Sequence, residues 1–173
     1  MDANRQTDLS RFHRLDLVLV CGLPGSGKSH FSSAFFKHTS RKRVNRKEIR
    51  RLVFEMTNFG EEWHEKDFTN VDEFLVKHAE RRIIEHLLQN GQQVLIDNTS
   101  VSATSRGTYL KIAAQLKKSI GVIFLDVPLE KCLSRNRERT DPIPEPVISN
   151  LLAAVDRPTK AEGFGEVLTV RDY

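Results

Sequence analysis

The sequence feature that most constrains this chain is a glycine-rich octapeptide directly after an apolar run. Residues 22–29 read GLPGSGKS and match the pattern G-x-x-x-x-G-K-[ST] in full. The preceding residues 15–21, LDLVLVC, are typical of a buried strand, and residues 28–37 favour a helix. A strand, a glycine-rich turn and a helix in this order form a loop whose backbone N–H groups and helix dipole surround phosphates. The motif therefore predicts that the chain binds a nucleoside triphosphate.

Each residue type in this motif has its own physical role. Glycines let the backbone pass close to the phosphates, Lys28 is expected to reach the β- and γ-phosphates, and the Ser29 hydroxyl is expected to ligate Mg²⁺. ATP and Mg²⁺ are accordingly the expected cofactors. The predicted cofactor-binding residues at the loop are Gly22, Leu23, Pro24, Gly25, Ser26, Gly27, Lys28, Ser29 and His30.

The rest of the chain alternates between strand-like and helix-like segments. Further strands are predicted near residues 43–45, 94–98, 120–127 and 166–170, and further helices over 47–55, 71–90, 102–118, 129–138 and 146–155. The aromatic segment 59–69 has no clean period and is expected to be a loop. This alternation predicts an α/β fold of the P-loop NTPase (kinase) type, with a mostly parallel sheet flanked by helices and ligands bound at the carboxyl ends of the strands.

Length and hydropathy restrict the class of protein. A chain of 173 residues fits one domain, predicted at 15–173 after a polar tail at 1–14. Its apolar runs are too short to span a bilayer, and the N-terminus shows no signal-peptide pattern. We therefore expect an intracellular protein, cytoplasmic or nuclear, with no membrane partner. The two cysteines, Cys21 and Cys132, lack metal-ligand spacing and are expected to be inert core residues.

Positive charge is concentrated in two places. Residues 41–51 carry seven lysines and arginines against one acid, Glu48. The second cluster contains Arg135 and Arg139, which are four residues apart on a predicted helix and precede a proline-rich loop. These two arginines are predicted to belong to a lid over about 134–147 and to stabilise charge on a transferred phosphoryl group. For either cluster, a solvated charged surface is the alternative interpretation.

Several motifs in fixed order resemble the kinase domain of the polynucleotide 5′-hydroxyl kinase family. They are GLPGSGKS at 22–29, VNR followed by an arginine at 44–50, IDNTSVSATSR at 96–106, LDVPLEKCLSRNRER at 125–139 and RPTKAEGFGEV at 157–167. The resemblance implies that Asp97 lies near the metal or the acceptor, that Arg135 and Arg139 are lid arginines, and that Arg50 grips an acceptor phosphate. It also matches Arg106 to a family arginine, with a structural role equally open.

The sequence departs from that family at one important position. The family motif reads N-R-D, with the aspartate as general base, whereas Asn45-Arg46 is followed here by Lys47. A charged lysine cannot accept the proton of an acceptor hydroxyl. Glu48 is the first substitute base that we consider and Asp97 the second, while Arg46 and Lys47 are candidates for contacts with acceptor phosphates.

The resulting hypothesis is a kinase that transfers the γ-phosphate of ATP to a hydroxyl, with the 5′ end of a DNA or RNA strand as the expected acceptor and partner. Such an activity belongs to nucleic-acid repair or end processing. One alternative is a P-loop kinase of another hydroxyl, on a nucleoside, a small metabolite, a modified base or a tRNA. Another is a non-catalytic ATP-binding module in which Lys47 marks a lost active site.

Overall fold

Five parallel strands form one sheet in the computed structural model of the chain, which describes residues 9–65, 72–171 and 173. The strands are β1 (Leu17–Gly22), β2 (Lys42–Val44), β3 (Val94–Asp97), β4 (Ile120–Asp126) and β5 (Glu166–Arg171). Their order in the sheet is β2-β3-β1-β4-β5, and all four pairings are parallel. The predicted fold class is confirmed.

Helices connect the strands and cover both faces of the sheet. They are α1 (Lys28–Phe36), α2 (Arg46–Thr57), α3 (Glu73–Gln89), α4 (Ala103–Gln115), α5 (Leu129–Arg137) and α6 (Glu145–Ala153). Side chains of Asn45, Asp72 and Ser102 accept backbone N–H groups at the starts of α2, α3 and α4. The predicted elements are confirmed with ends shifted by a few residues. No helix among the described residues is long and apolar enough to cross a membrane.

Successive residues of the central strand β1 point into different apolar layers. Leu17 and Leu19 pack into the layer that includes residues of α2, α3 and α4, whereas Val18 and Val20 pack into the layer that includes Phe31 of α1. Both cysteines are buried in these layers, and burial raises the pKa of the Cys21 thiol to about 12. The site loop therefore starts from a strand that is buried on both faces.

Helix α3 buries a different face from the one that its apolar residues suggest. The buried positions are Val76, Glu80, Ile84 and Leu88, each four residues apart, whereas Phe74 is 80% exposed. Spacing of three and four residues predicts an inward stripe made of Phe74, Leu75, His78, Ala79, Ile83, Leu87 and Leu88. Phe74, Leu75 and Ile83 are exposed, whereas Leu88 is buried. The buried face is not recognisable from hydrophobicity, because one of its four positions is an acid, Glu80. The predicted start of this helix at Val71 lies outside the described residues.

Arg41, the first residue of the basic segment, belongs to the framework of the sheet. Its guanidinium donates to the carbonyls of Phe12, Leu15, Asp16 and Val94, near the start of β1 and β3. Desolvation by burial lowers the pKa of Arg41 to about 10. The side chain ties the segment before β1 to its neighbours rather than presenting a charge to a ligand.

Replacing Arg41 tests this framework role. We expect Arg41→Met to lower the free energy of unfolding by about 3 kcal/mol, because several carbonyls lose a charged donor at once. Urea unfolding of the two proteins measures the difference. The neighbouring Lys42 is exposed, so Lys42→Met should change stability by less than about 0.5 kcal/mol. Equal effects of the two substitutions would contradict this role for Arg41.

Candidate active site

The glycine-rich loop folds tightly between β1 and α1. Its glycines Gly22, Gly25 and Gly27 all have positive φ, at 149°, 81° and 91°. At Gly25 a Cβ atom would lie 2.2 Å from the carbonyl oxygen of Cys132 in α5, which no side chain could tolerate. The loop is thus held against α5 at a point where only glycine fits.

Lys28 folds back over the loop that it follows. Its ammonium donates to the carbonyls of Gly22 and Leu23 at 2.9 and 2.8 Å. Desolvation by burial lowers the pKa of Lys28 to about 8, while the charge of Asp97 opposes this shift and that of Arg139 adds to it. Lys28 is therefore held on the loop by backbone carbonyls.

Arg135 and Tyr173 also lie against the glycine-rich loop. Arg135 donates to the carbonyl of Gly25 at 3.4 Å and to that of Tyr173 at 2.9 Å. The Tyr173 hydroxyl lies 2.5 Å from Nδ1 of the predicted site residue His30, and a Cβ on Gly27 would lie 3.1 Å from the Tyr173 ring. Arg135 and His30 thus lie beside the loop as predicted, and Tyr173 is a neighbour that no sequence motif indicated.

Asp97 and Glu48 share one arginine. Arg43, on β2, donates to Asp97 Oδ2 at 3.1 and 2.9 Å and to Glu48 Oε1 at 2.6 Å. Although burial opposes its charge, the bonds to Glu48 and Asp97 hold the pKa of Arg43 above its ordinary value. Asp97 is fully buried with Oδ1 unpaired, whereas 64% of the Glu48 side chain is exposed. Glu48 is therefore less suited to act as a general base, since most of its side chain is exposed to solvent.

Two of the predicted substrate-binding arginines are held inside the fold. Arg46 donates to Glu80 at 2.8 and 2.6 Å and to the Tyr109 hydroxyl at 2.9 Å. Arg106 is fully buried, with its guanidinium on Glu162 at 2.9 and 2.7 Å and on backbone carbonyls. This geometry argues against Arg106 as an acceptor contact, because its guanidinium is fully buried. Arg46 is bound largely within the fold but its side chain is 23% exposed, and its contact with an acceptor stays a prediction. Arg106 has the structural role that the sequence left open.

The segment after α2 contacts both α2 and the lid. Lys47 donates to Glu65 at 2.7 Å, and the ring of Trp63 lies 5.5 Å from the Lys47 ammonium and 5.8 Å from the Arg50 guanidinium. Arg50 also forms an ion pair with Glu73. The sequence leaves two roles open for Phe59, Trp63, His64 and Phe68, stacking on an unpaired base or anchoring this loop to the core. Trp63 is buried and Phe59 is fully exposed, whereas Phe68 lies outside the described residues.

The basic segment 41–51 is therefore largely neutralised within the fold. Acidic partners contact five of its seven cations: Arg43, Arg46, Lys47, Arg50 and Arg51. Arg41 is bound by carbonyls. Most of the positive charge of this segment therefore has a partner within the fold, and its contacts with an acceptor stay a prediction.

A buried amide joins the two ends of the predicted lid segment. Asn136 donates to the carbonyl of Ile143 at 2.7 Å and accepts the Ile143 N–H at 3.1 Å, which ties the end of α5 to the start of α6. Arg139 lies within this closed turn, with its guanidinium 3.7 Å from Glu65. The lid is thus an ordered loop that carries one predicted site arginine.

A phosphate-binding loop at the carboxyl end of the central strand, on a parallel sheet of order 2-3-1-4-5 with arginines from a neighbouring helix, defines a P-loop kinase fold. Residues 17–158 match the family described as "AAA domain". The chain belongs to this family.

Known proteins resemble the chain in sequence and in structure. An L-seryl-tRNA(Sec) kinase of Methanococcus maripaludis is 31% identical over 143 residues, which are 82% of this chain and 53% of that protein. The chain thus spans about half the length of this curated relative. A sugar kinase from Janibacter sp. has a TM-score of 0.62 at 15% identity, covering 91% of this chain and 85% of the other. Kti12 of Chaetomium thermophilum, in complex with ADP-AlF3, has a TM-score of 0.60 at 17% identity. The match covers 90% of this chain and 89% of the Kti12 chain.

These comparisons confirm the predicted P-loop kinase fold but not the narrower resemblance to polynucleotide 5′-hydroxyl kinases. The structural matches have less than 25% identity and establish the fold alone. Membership of the polynucleotide kinase family stays a prediction.

Because the pKa of Lys28 is lowered, we predict that nucleotide binding is accompanied by proton uptake. At pH 9 the free lysine is mostly neutral, and a bound triphosphate would favour its charged form, so binding should take up about one proton. Calorimetric titration with MgATP at pH 9 in buffers of different ionisation enthalpy measures this uptake. Lys28→Arg stays charged and should show almost none; equal uptake by both proteins would contradict the assignment.

Proposed function

We propose that this chain is an ATP-dependent phosphotransferase that moves the γ-phosphoryl group to a hydroxyl. The observation that carries the proposal is a complete phosphate-binding loop with Lys28 and Arg135 bonded to its carbonyls and Asp97 at the end of the adjacent strand β3. Lys28 would exchange its two loop carbonyls for phosphate oxygens when the nucleotide binds. Its burial strengthens that electrostatic interaction, because less water screens it.

The donor set suits Mg²⁺ bound with the nucleotide. Asp97 has a buried carboxylate oxygen without a partner, and the Ser29 hydroxyl is exposed at the start of α1. Oxygen ligands of this kind are those that Mg²⁺ prefers, usually together with phosphates and water. Ser29 and Asp97 would hold the ion, which neutralises charge on the phosphates. Arg43 fixes the other Asp97 oxygen and so orients the carboxylate.

Lid arginines would complete the charge balance around the transferred group. Arg135 already lies on the loop, and Arg139 lies close enough to lower the pKa of Lys28. A loose phosphoryl-transfer transition state spreads negative charge over the equatorial oxygens, which fixed guanidinium groups stabilise. We assign this role to both arginines.

For the acceptor, we propose a hydroxyl carried by a nucleic acid. The ordered motifs support the 5′-hydroxyl of a DNA or RNA strand, and the curated relative is a kinase that its name links to a tRNA. That relative favours a second candidate, a hydroxyl on an aminoacylated tRNA. Polynucleotide 5′-hydroxyl kinases have an aspartate where this chain has Lys47, and this difference also favours the second acceptor.

Transfer of labelled phosphate tests the proposal. With [γ-³²P]ATP and Mg²⁺, we expect label on a 5′-hydroxyl oligonucleotide or on a seryl-tRNA, and a decrease of at least about 10²-fold with Lys28→Ala. Arg137→Ala is the matched control, because Arg137 is exposed and pairs only with Glu145 among the described residues. Nucleotide binding without label on oligonucleotides, tRNAs, nucleosides or small metabolites would overturn the kinase activity and leave a binding module.

A further inference from the structure

One acidic residue outside the predicted site contacts two of its cations. Glu65, in the segment after α2, accepts the ammonium of Lys47 at 2.7 Å and lies 3.7 Å from the guanidinium of Arg139. Its side chain is only 10% exposed. Its backbone N–H is bound by both oxygens of Asp141 in the lid loop, at 3.2 and 3.1 Å. The lid thus fixes the backbone of Glu65, and two cations fix its carboxylate.

Contacts with Lys47 and Arg139 place Glu65 near the carboxyl edge of the sheet. Lys47 is the second residue of α2, and the residue that caps α2, Asn45, donates to the backbone carbonyl of Asp97. The other carboxylates are less suitable as bases. Glu48 is largely exposed, and Asp97 has one oxygen bound by Arg43 and the other suited to a metal.

The contacts of Glu65 hold one oxygen and orient the other. Oε1 is the carboxylate oxygen nearest to each cation, so Oε2 is the oxygen that we assign to the proton transfer. The buried ring of Trp63 packs near the Lys47 ammonium and keeps this cation in place. A carboxylate held in this way is both oriented and shielded from bulk water.

We propose that Glu65 is the general base that accepts the proton of the acceptor hydroxyl, in place of a carboxylate on α2. This inference rests on the proposed kinase activity. In the step, the hydroxyl oxygen forms a bond to the γ-phosphorus, and the bond from that phosphorus to the β,γ-bridging oxygen breaks. ADP leaves with the electron pair, and the hydroxyl proton passes to Glu65 Oε2.

Glu65→Gln keeps the size of the side chain and removes its basicity. We expect kcat for acceptor labelling to fall about 10²-fold, with little change in the KM for ATP, because the base acts only in the transfer step. Glu62→Gln, an exposed acid of the same segment, should keep wild-type kcat. Thermal unfolding and MgATP titration of each variant confirm that the fold and the nucleotide site are intact.

A second set of variants separates proton transfer from a purely structural contact. If Glu65 only held the lid, Lys47→Met and Asp141→Asn would lower kcat as much as Glu65→Gln, and that result would overturn the proposal. We expect both to lose less than about tenfold. Adding Lys47→Glu to Glu65→Gln returns a carboxylate to the same place, and we expect it to restore part of the lost kcat.

Failure of the inference differs from failure of the proposed function. If the wild-type protein labels an acceptor and Glu65→Gln labels it equally well, Glu65 is not the base and the kinase activity stands. If Glu48→Gln alone abolishes labelling, the base is Glu48. If the wild-type protein labels no acceptor, the proposed function is overturned, and the role of Glu65 with it.

Discussion

The parallel pairing of all five strands is the constraint on which the rest of the structure depends. It brings the carboxyl ends of β1, β2 and β3 to one edge, so Gly22, Asn45 and Asp97 meet although they are far apart in the chain. The contact is direct, since Asn45 donates to the backbone carbonyl of Asp97 at 2.5 Å. The same Asn45 caps α2, which positions Lys47. Strand order thus determines where the charged groups of the site are placed.

Charge neutralisation is the second organising feature of this edge. Arg43 connects Asp97 with Glu48, Arg46 lies on Glu80, and Glu65 connects Lys47 with Arg139. Each cation is held by a carboxylate from another element, so the pairs connect β2, α2, α3 and the lid. A formal net charge of +4 therefore says little about ligand binding, because most of the positive charge nearest to the site already has a partner inside the fold.

The fold could be predicted from the sequence because its signals are local. The P-loop motif, the apolar strands and the helical periodicity can each be recognised in a window of about ten residues. The predicted elements are found in the predicted order. The partners of Arg46 and Arg106 could not be predicted, because Glu80 and Glu162 are 34 and 56 residues away. Buried polar residues also hid the inner face of α3. No sequence pattern indicated Glu65, because it lies in a segment without helix or strand periodicity. Its contacts are with Lys47, Arg139 and Asp141, which are distant in the chain.

The contact between Gly25 and α5 joins two parts of the site through backbone alone. Because the Cys132 carbonyl lies where a side chain of Gly25 would be, the loop and α5 meet with no side chain between them. Arg135, three residues further along α5, donates to the carbonyl of the same Gly25. The place of this arginine over the loop therefore depends on the absence of a side chain at residue 25.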